Sequence, residues 1–144
     1  MNIQSILATK GTHVVTIPPD SLIREAVAMF VTHNIGALVV VNAAGEPRGL
    51  LSERDIIRAA VRQEGIFSQT VGNLMIRDMI IGVPEDDLES VAHTMTEKRV
   101  RHIPVVEDGR LIGIVSIGDI VKAQRDQYRG ELYTLQTLML EQEV

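Results

Sequence analysis

The chain has 144 residues, 45% of them hydrophobic but only 3% aromatic, with no Trp and no Cys. That is enough for one compact domain or two packed halves around an aliphatic core, and it leaves no disulfide framework, thiolate metal site or thiol nucleophile. A net charge of −5 gives no basic surplus to neutralise phosphates, so neither bulk nucleic-acid binding nor attraction to an anionic membrane is expected.

The N-terminal MNIQSILATKG lacks the basic-then-apolar pattern of a signal peptide. No apolar run approaches the ~20 residues of a membrane span. A soluble, cytoplasmic protein is expected.

Read in order, the elements come twice. Residues 14–42 lie over 79–107, so that VVTIPPDSLIREAVAMF meets MIIGVPEDDLESVAHTM and IGALVVV meets VRHIPVV; one residue fewer in the next turn brings GLLSERDIIRA onto GIVSIGDIVKA. A repeat of this length is one architecture built twice. Each half predicts a short strand (His13–Ile17; Met79–Val83) closed by prolines (Pro18, Pro19; Pro84) that cannot donate to a ladder. Asp20-Ser21 and Asp86-Asp87 then offer helix caps, with Glu89 three residues after Asp86 completing a capping-box pattern. The helices that follow carry Ile23, Ala26, Val27 and Phe30, or Leu88, Val91, Ala92 and Met95, on one face.

Next comes a hairpin in each half: Ala37–Val41 and Ile103–Val106, a turn at Gly45 or Asp108-Gly109, and a second strand ending at Leu51 or Val115. A second helix starts at Ser52 and at Ser116 and is expected to reach Val61 and Gln124. The linking RQEGIFSQTVGNLM has glycines at 65 and 72 and room for a helical turn near Leu74. The expected fold is therefore α+β, a tandem β-α-β-β-α repeat whose small sheets pack on each other about a pseudo-twofold axis. The expected division is 1–65 for the first motif with its N-terminal segment, 66–128 for the second, and 129–144 for a C-terminal helical extension. Gly130 is expected to break the helix before it, after which Leu132, Leu135, Leu138 and Met139 form one apolar stripe.

The chemistry-bearing feature is Ser-x-x-Asp, present as Ser52/Asp55 and Ser116/Asp119. A serine at a helix start with an acid three residues on is a capping box, and that alone explains both copies. The same residues also suit a nucleotide. The hydroxyl and free N–H groups of a helix start receive phosphate, and a carboxylate one turn in accepts both hydroxyls of a ribose. Gly49 and Gly113 let another backbone or a flat ring approach the strand before.

The ensemble TIPPDSLIREAV, GLLSERDIIRA, VGNLMIRDM, RHIPVV and GIVSIGDIV resembles the cystathionine-β-synthase (CBS) domain pair, or Bateman module, over roughly Asn2 to Gln124. The resemblance implies a non-catalytic regulatory module with two clefts for AMP, ATP or another adenosyl compound such as NAD, and no catalytic cofactor or metal. It implies one cleft made by Ser52 and Asp55 with Ile81, Arg101, His102, Ile103 and Pro104, and another made by Ser116 and Asp119 with Thr16, Ile17, Gly36 and Ala37. Arg101-His102 stands where the first half has Gly36-Ala37, so the Asp55 cleft is expected to favour phosphate; Arg101 as a solvated strand-end charge and His102 as a rim histidine are the plain alternatives. The family also implies a homodimer and an effector protein as partners.

Other chemistry finds little support in the sequence. His13, His33, His93 and His102 lack metal-ligand spacing, and no G-x-S-x-G, P-loop or G-x-G-x-x-G occurs. The acidic run Glu85, Asp86 and Asp87 reads as helix capping and dipole compensation. Met29, Met75, Met79 and Met95 read as core. Two further readings stand beside the regulatory one: an enzyme acting on a nucleotide, and a structural interaction module with vestigial clefts.

Overall fold

The computed structural model describes residues 1–142. Its elements run α1 (Ile3–Lys10), β1 (Thr16–Ile17), α2 (Ile23–His33), β2 (Ala37–Val41), β3 (Pro47–Ser52), α3 (Glu53–Arg62), a 3-10 turn (Ile66–Ser68), α4 (Val71–Leu74), α5 (Leu88–Lys98), β4 (His102–Glu107), β5 (Arg110–Ser116) and α6 (Ile117–Gln142). β1 runs parallel to β2, and β2 pairs antiparallel with β3; β4 and β5 form a second, two-stranded sheet. Both predicted hairpins are present, each with a register shift at the equivalent place, between Val40 and Val41 and between Val105 and Val106.

The strand expected at Met79–Val83 reduces to one parallel bridge, Gly82 to Val105. The cause is on the partner strand. Gly82 N–H donates to Pro104 O (2.9 Å) and Val106 N–H donates to Gly82 O (2.9 Å), so the next rung would need an N–H from residue 104. Proline has none. In the first half Val39 holds that place and pairs with Thr16, which gives β1 its second residue.

Two helix starts also differ from expectation. α2 has no side-chain cap from Asp20 or Ser21; its N-cap residue is Leu22, and the interdomain link covers this end instead, through Ile23 N–H to Gln69 O (2.9 Å) and Val71 N–H to Ser21 O (2.8 Å). α5 is capped by Asp87, whose carboxylate accepts from Ser90 N–H (3.2 Å). Asp86 is used one turn earlier, accepting from Val83 N–H (2.9 Å), so the expected box with Glu89 does not form.

Three apolar clusters make the core. One holds the first half: Ile17, Ile23, Phe30, Leu38, Leu51 and Ile56 among its buried residues. Another holds the second: Leu88, Val91, Met95, Ile103, Val115 and Ile120. The third joins the sheets, with Ala37, Val39 and Leu50 packed by Met79, Leu111 and Ile114 across the pseudo-twofold axis.

The segments leading into each half pack on the other. Ile66, Val71 and Met75, which precede the second half, complete the first cluster. Ile3, Ile6 and Leu7 of α1, which precede the first half, complete the second. No helix was expected at α1, although Asn2 caps it by accepting from Ser5 N–H (3.1 Å), a signal present in the sequence. This exchange gives the two repeat glycines their reason. A Cβ on Gly49 would lie 2.7 Å from Met75 Sδ and 3.0 Å from Ile76 O, and one on Gly113 would lie 2.7 Å from Leu7 Cδ2. Both gaps are filled by protein, leaving no slot there for a flat ring.

The C-terminal expectation is corrected as well. α6 runs unbroken from Ile117 through Gly130 to Gln142. Glycine in a helix costs only about 1 kcal/mol relative to alanine, and the good helix formers on either side absorb it. The last two residues of the 129–144 extension lie outside the described residues.

Candidate functional site

Each Ser-x-x-Asp sits where the second hairpin strand of its half, β3 or β5, turns into a helix, so each serine is both strand end and N-cap. At the first, Ser52 N–H (2.9 Å) and Ser52 Oγ (2.8 Å) donate to Asp55 Oδ2, and Asp55 N–H returns a bond to Ser52 Oγ (3.3 Å). At the second, Ser116 N–H donates to Asp119 Oδ2 (2.9 Å) and Asp119 N–H to Ser116 Oγ (3.1 Å). The capping-box reading of the sequence is therefore realised in both halves. At Asp55 both bonds fall on Oδ2, and Oδ1 takes no part in the box.

What surrounds the two boxes differs. The first opens on a cleft of about 150 Å³ lined by both halves, with Ser52 and Asp55 facing Arg101 and His102. Four of the residues expected together are thus brought together. Ile81, Ile103 and Pro104 do not line it: Ile103 is core at 2% exposure, Pro104 is buried, and Ile81 lines a separate 140 Å³ hollow with Gly82 and Asp86. Gly36, expected in the other cleft, belongs here, because its carbonyl accepts Glu53 N–H (3.1 Å) at the start of α3. Arg101 O does the same for Ile117 N–H (2.9 Å) at the start of α6.

The sequence reading missed most of the cleft's charge. Arg54, Arg58 and Arg99 join Arg101 on its wall, against the carboxylates of Glu53 and Asp55, so with His102 neutral the cleft carries a net +2. Arg58 could have been found, since it follows Asp55 by three residues on α3 and shares its face. Arg99 holds the left-handed C-cap of α5 at φ 54°, as Asn34 does for α2 at φ 52°. Burial, followed by the Lys10 charge, holds the His102 pKa below its ordinary value, so His102 is neutral at pH 7.

The second box is already occupied by a cation of the chain. Lys10, at the end of α1, donates to Asp119 Oδ2 (2.7 Å) and to Ile114 O (2.8 Å). Burial alone pushes the Asp119 carboxyl up, but the bonds from Lys10 and Ser116, with the Lys10 charge, outweigh it and bring the pKa below the usual carboxylate range. The cavity beside Asp119, about 240 Å³, is lined by α1 and α6, with Lys10 and Lys122 facing Asp119 and Asp126. None of Thr16, Ile17, Gly36 or Ala37 lines it; Ile17 and Ala37 are buried at 2% and 6% exposure. Nothing in the sequence alone links Lys10 to a partner 109 residues away.

Among the described residues no three His, Cys, Asp or Glu side chains gather as a metal group, and no helix is long and apolar enough to cross a membrane.

Comparison with known proteins identifies this arrangement. The CBS domain profile matches twice, over residues 6–62 and 71–126. The mitochondrial CBS domain-containing protein CBSX3 of Arabidopsis thaliana is 38% identical over 121 residues, 81% of this chain and 59% of that protein, so the chain spans about three-fifths of that relative's length. The crystal structure of the CBS-domain protein ATU1752 from Agrobacterium tumefaciens superposes with a TM-score of 0.83 at 39% identity, covering 85% of this chain and 92% of that one. The CBS domain pair of protein MJ0100, crystallised with 5′-methylthioadenosine and S-adenosyl-L-methionine, superposes with a TM-score of 0.77 at 26% identity, covering 88% and 98%. This chain belongs to the CBS domain family and carries two CBS domains in tandem.

Proposed function

We propose that this CBS pair is a regulatory module without catalytic activity, and that it binds an adenosine nucleotide in the cleft between Ser52/Asp55 and Arg101/His102. The observation that carries the reading is a carboxylate with one uncommitted oxygen beside four guanidinium groups in a cleft built by both halves. A carboxylate oxygen accepts ribose hydroxyls, and guanidinium forks take phosphate oxygens two at a time. Leu50 and Ile76 supply an apolar flank for the base. The same fold in MJ0100 holds two adenosyl compounds. Those ligands lack phosphate, whereas the net positive charge here favours AMP or ATP, with NAD as a further candidate.

Because the cleft spans both halves, a bound nucleotide ties them together. Its signal then passes to an effector protein or through a homodimer of the chain, within the cytoplasm. Differential scanning fluorimetry with AMP, ATP, NAD, 5′-methylthioadenosine and S-adenosyl-L-methionine, beside a turnover assay on the same panel, tests the reading. A rise in Tm with AMP or ATP and no turnover is expected. Turnover that survives repurification would establish the enzyme instead, and no shift with any member would leave the capping boxes as structural devices.

A further inference from the structure

A groove of about 410 Å³ between α3 and α4 adjoins the cleft across Asp55 and Arg58, which line both. Beyond them it is lined by Arg62 and Gln63 at the end of α3 and by Asn73 on α4. Arg58 and Arg62 are four residues apart and share a face of α3; Arg62 stands two turns, about 10 Å, past Asp55. The ion pairs among the described residues lie elsewhere, at Lys10–Asp119, Arg48–Glu46 and Arg125–Asp126, so neither arginine is tied to a carboxylate. Asn73 gives one amide hydrogen to Gln69 (3.3 Å) and keeps the other. Asp55 and the negative end of the α3 dipole oppose the two arginines, and the balance is still positive.

The second half supplies a comparison within the same chain. There α1 stands where α4 does in the first, and a groove of about 240 Å³ runs between α1 and α6. Asp119, Lys122, Ala123 and Asp126 line it as Asp55, Arg58, Ala59 and Arg62 line the first. The groove is a product of the duplicated fold, but its charge is not. Asp126 replaces Arg62, Lys10 is committed to Asp119 (2.7 Å), and the two lysines and two acids balance. The positive charge belongs to the groove that adjoins the arginine-walled cleft.

We infer that this groove is an anion subsite outside the cleft, for the outer phosphates of a nucleoside polyphosphate whose ribose is held at Asp55. The inference rests on the nucleotide reading of the cleft and adds the class of ligand: a nucleotide with a phosphate chain, in preference to a monophosphate. Cleft and groove together carry +3, the +2 of the cleft with Arg62, whereas a single phosphate group brings only about −1.5 to −2. One phosphate does not reach across two helical turns. A chain of them passes Arg58 and meets the Arg62 side chain, and each guanidinium takes phosphate oxygens two at a time.

Isothermal titration of AMP, ADP and ATP in magnesium-free buffer into the wild type, Arg62→Gln and Arg62→Asp tests the subsite; Arg62→Asp copies the residue of the second half. In the wild type, affinity should rise from AMP through ADP to ATP, a comparison that needs no variant. Arg62 does not line the cleft, so AMP affinity should be the same in all three proteins. ATP affinity should fall by about two- to fivefold in Arg62→Gln, the range of an exposed ion pair, and further in Arg62→Asp. Urea denaturation of the same proteins separates the plainer role: if Arg62 only compensates the α3 dipole, stability changes and ATP affinity does not, and the subsite is overturned. ATP that binds no tighter than AMP, or AMP and ATP weakened equally by the substitutions, would also overturn it and leave the cleft reading standing. A wild type that binds none of the three would overturn both.

Discussion

Lys10 Nζ lies 2.7 Å from Asp119 Oδ2, so a helix at the start of the chain closes the carboxylate of the second repeat, while its counterpart Asp55 has no lysine. The two boxes have the same local geometry and opposite surroundings. One faces an arginine wall shared by both halves; the other is neutralised from within. The side chains of the ion pair are 35% and 24% exposed, so solvent screens it and its contribution is about 0.5–1 kcal/mol. A double-mutant cycle with Lys10→Met and Asp119→Asn, measured by urea denaturation, should return a coupling of that size. A coupling of zero would show that the contact does not hold α1 in place.

Two groups give the stability a defined pH dependence. The folded Asp119 pKa is depressed, so its contribution is complete above about pH 4, where the unfolded carboxyl is ionised, and is lost as pH falls through the folded value. His102 is also depressed, by burial first and then by Lys10. Below about pH 6.5 the unfolded chain takes a proton there that the folded protein refuses, so stability declines as pH falls from that point to the folded value. His102→Asn should remove the decline nearest neutrality and leave the more acidic one. A profile between pH 4 and 7 that is identical for the two proteins would contradict the assignment.

The exchange of leading segments predicts coupled core variants. Leu7→Ala removes a side chain 4% exposed and should cost about 2–5 kcal/mol. Gly113→Ala forces a methyl group against Leu7 and should cost about 1–3 kcal/mol. Combined, they should cost clearly less than the sum, since the new methyl enters the space that Leu7 leaves. Gly49→Ala has no such rescue by truncating Met75 alone, because the Ile76 carbonyl also stands 3.0 Å away. Chemical denaturation of the four variants reads this directly, and strict additivity at Leu7/Gly113 would refute the packing.

Gly130 offers a cheaper check on α6. Apart from the neighbouring residues and backbone of the helix itself, no atom lies within 4 Å of a Cβ built there, and the helix runs through it. Gly130→Ala should therefore raise helix content and add up to about 1 kcal/mol of stability. A loss on substitution would mean that the glycine serves as a break.

The duplication was readable because period and punctuation survive where identity does not: Pro18 and Pro84 end the leading segments, Gly45 and Gly109 make the hairpin turns, and each Ser-x-x-Asp opens a helix. What stayed hidden depends on contacts distant in sequence. The short strand near Gly82 loses its second rung to Pro104 on another strand, and the start of α2 is held by the link, where Ile23 N–H donates to Gln69 O and Val71 N–H to Ser21 O. The exchange of α1 and α4 carries no local signal, and that is why Gly49 and Gly113 read equally well as room for a ligand. The site was half legible. Ser52, Asp55, Arg101 and His102 line one cleft; of the other arginines there, Arg58 was readable from its spacing to Asp55, while Arg54 on α3 and Arg99 at the C-cap of α5 have the sequence pattern of any charged surface.

The central claim is that the arginine-walled cleft at Asp55 is the nucleotide site, and isothermal titration of AMP into the wild type, Asp55→Ala and Arg101→Ala tests it most directly. The account predicts that each substitution weakens AMP binding by about 1.5–3 kcal/mol, the range for a hydrogen bond to a charged group, roughly 10- to 150-fold in Kd. Arg101→Ala should leave adenosine affinity nearly unchanged, whereas Asp55→Ala should weaken adenosine as much as AMP. Affinity for AMP that is the same in all three proteins, with only a capping loss of about 1 kcal/mol in the stability of Asp55→Ala, would contradict it.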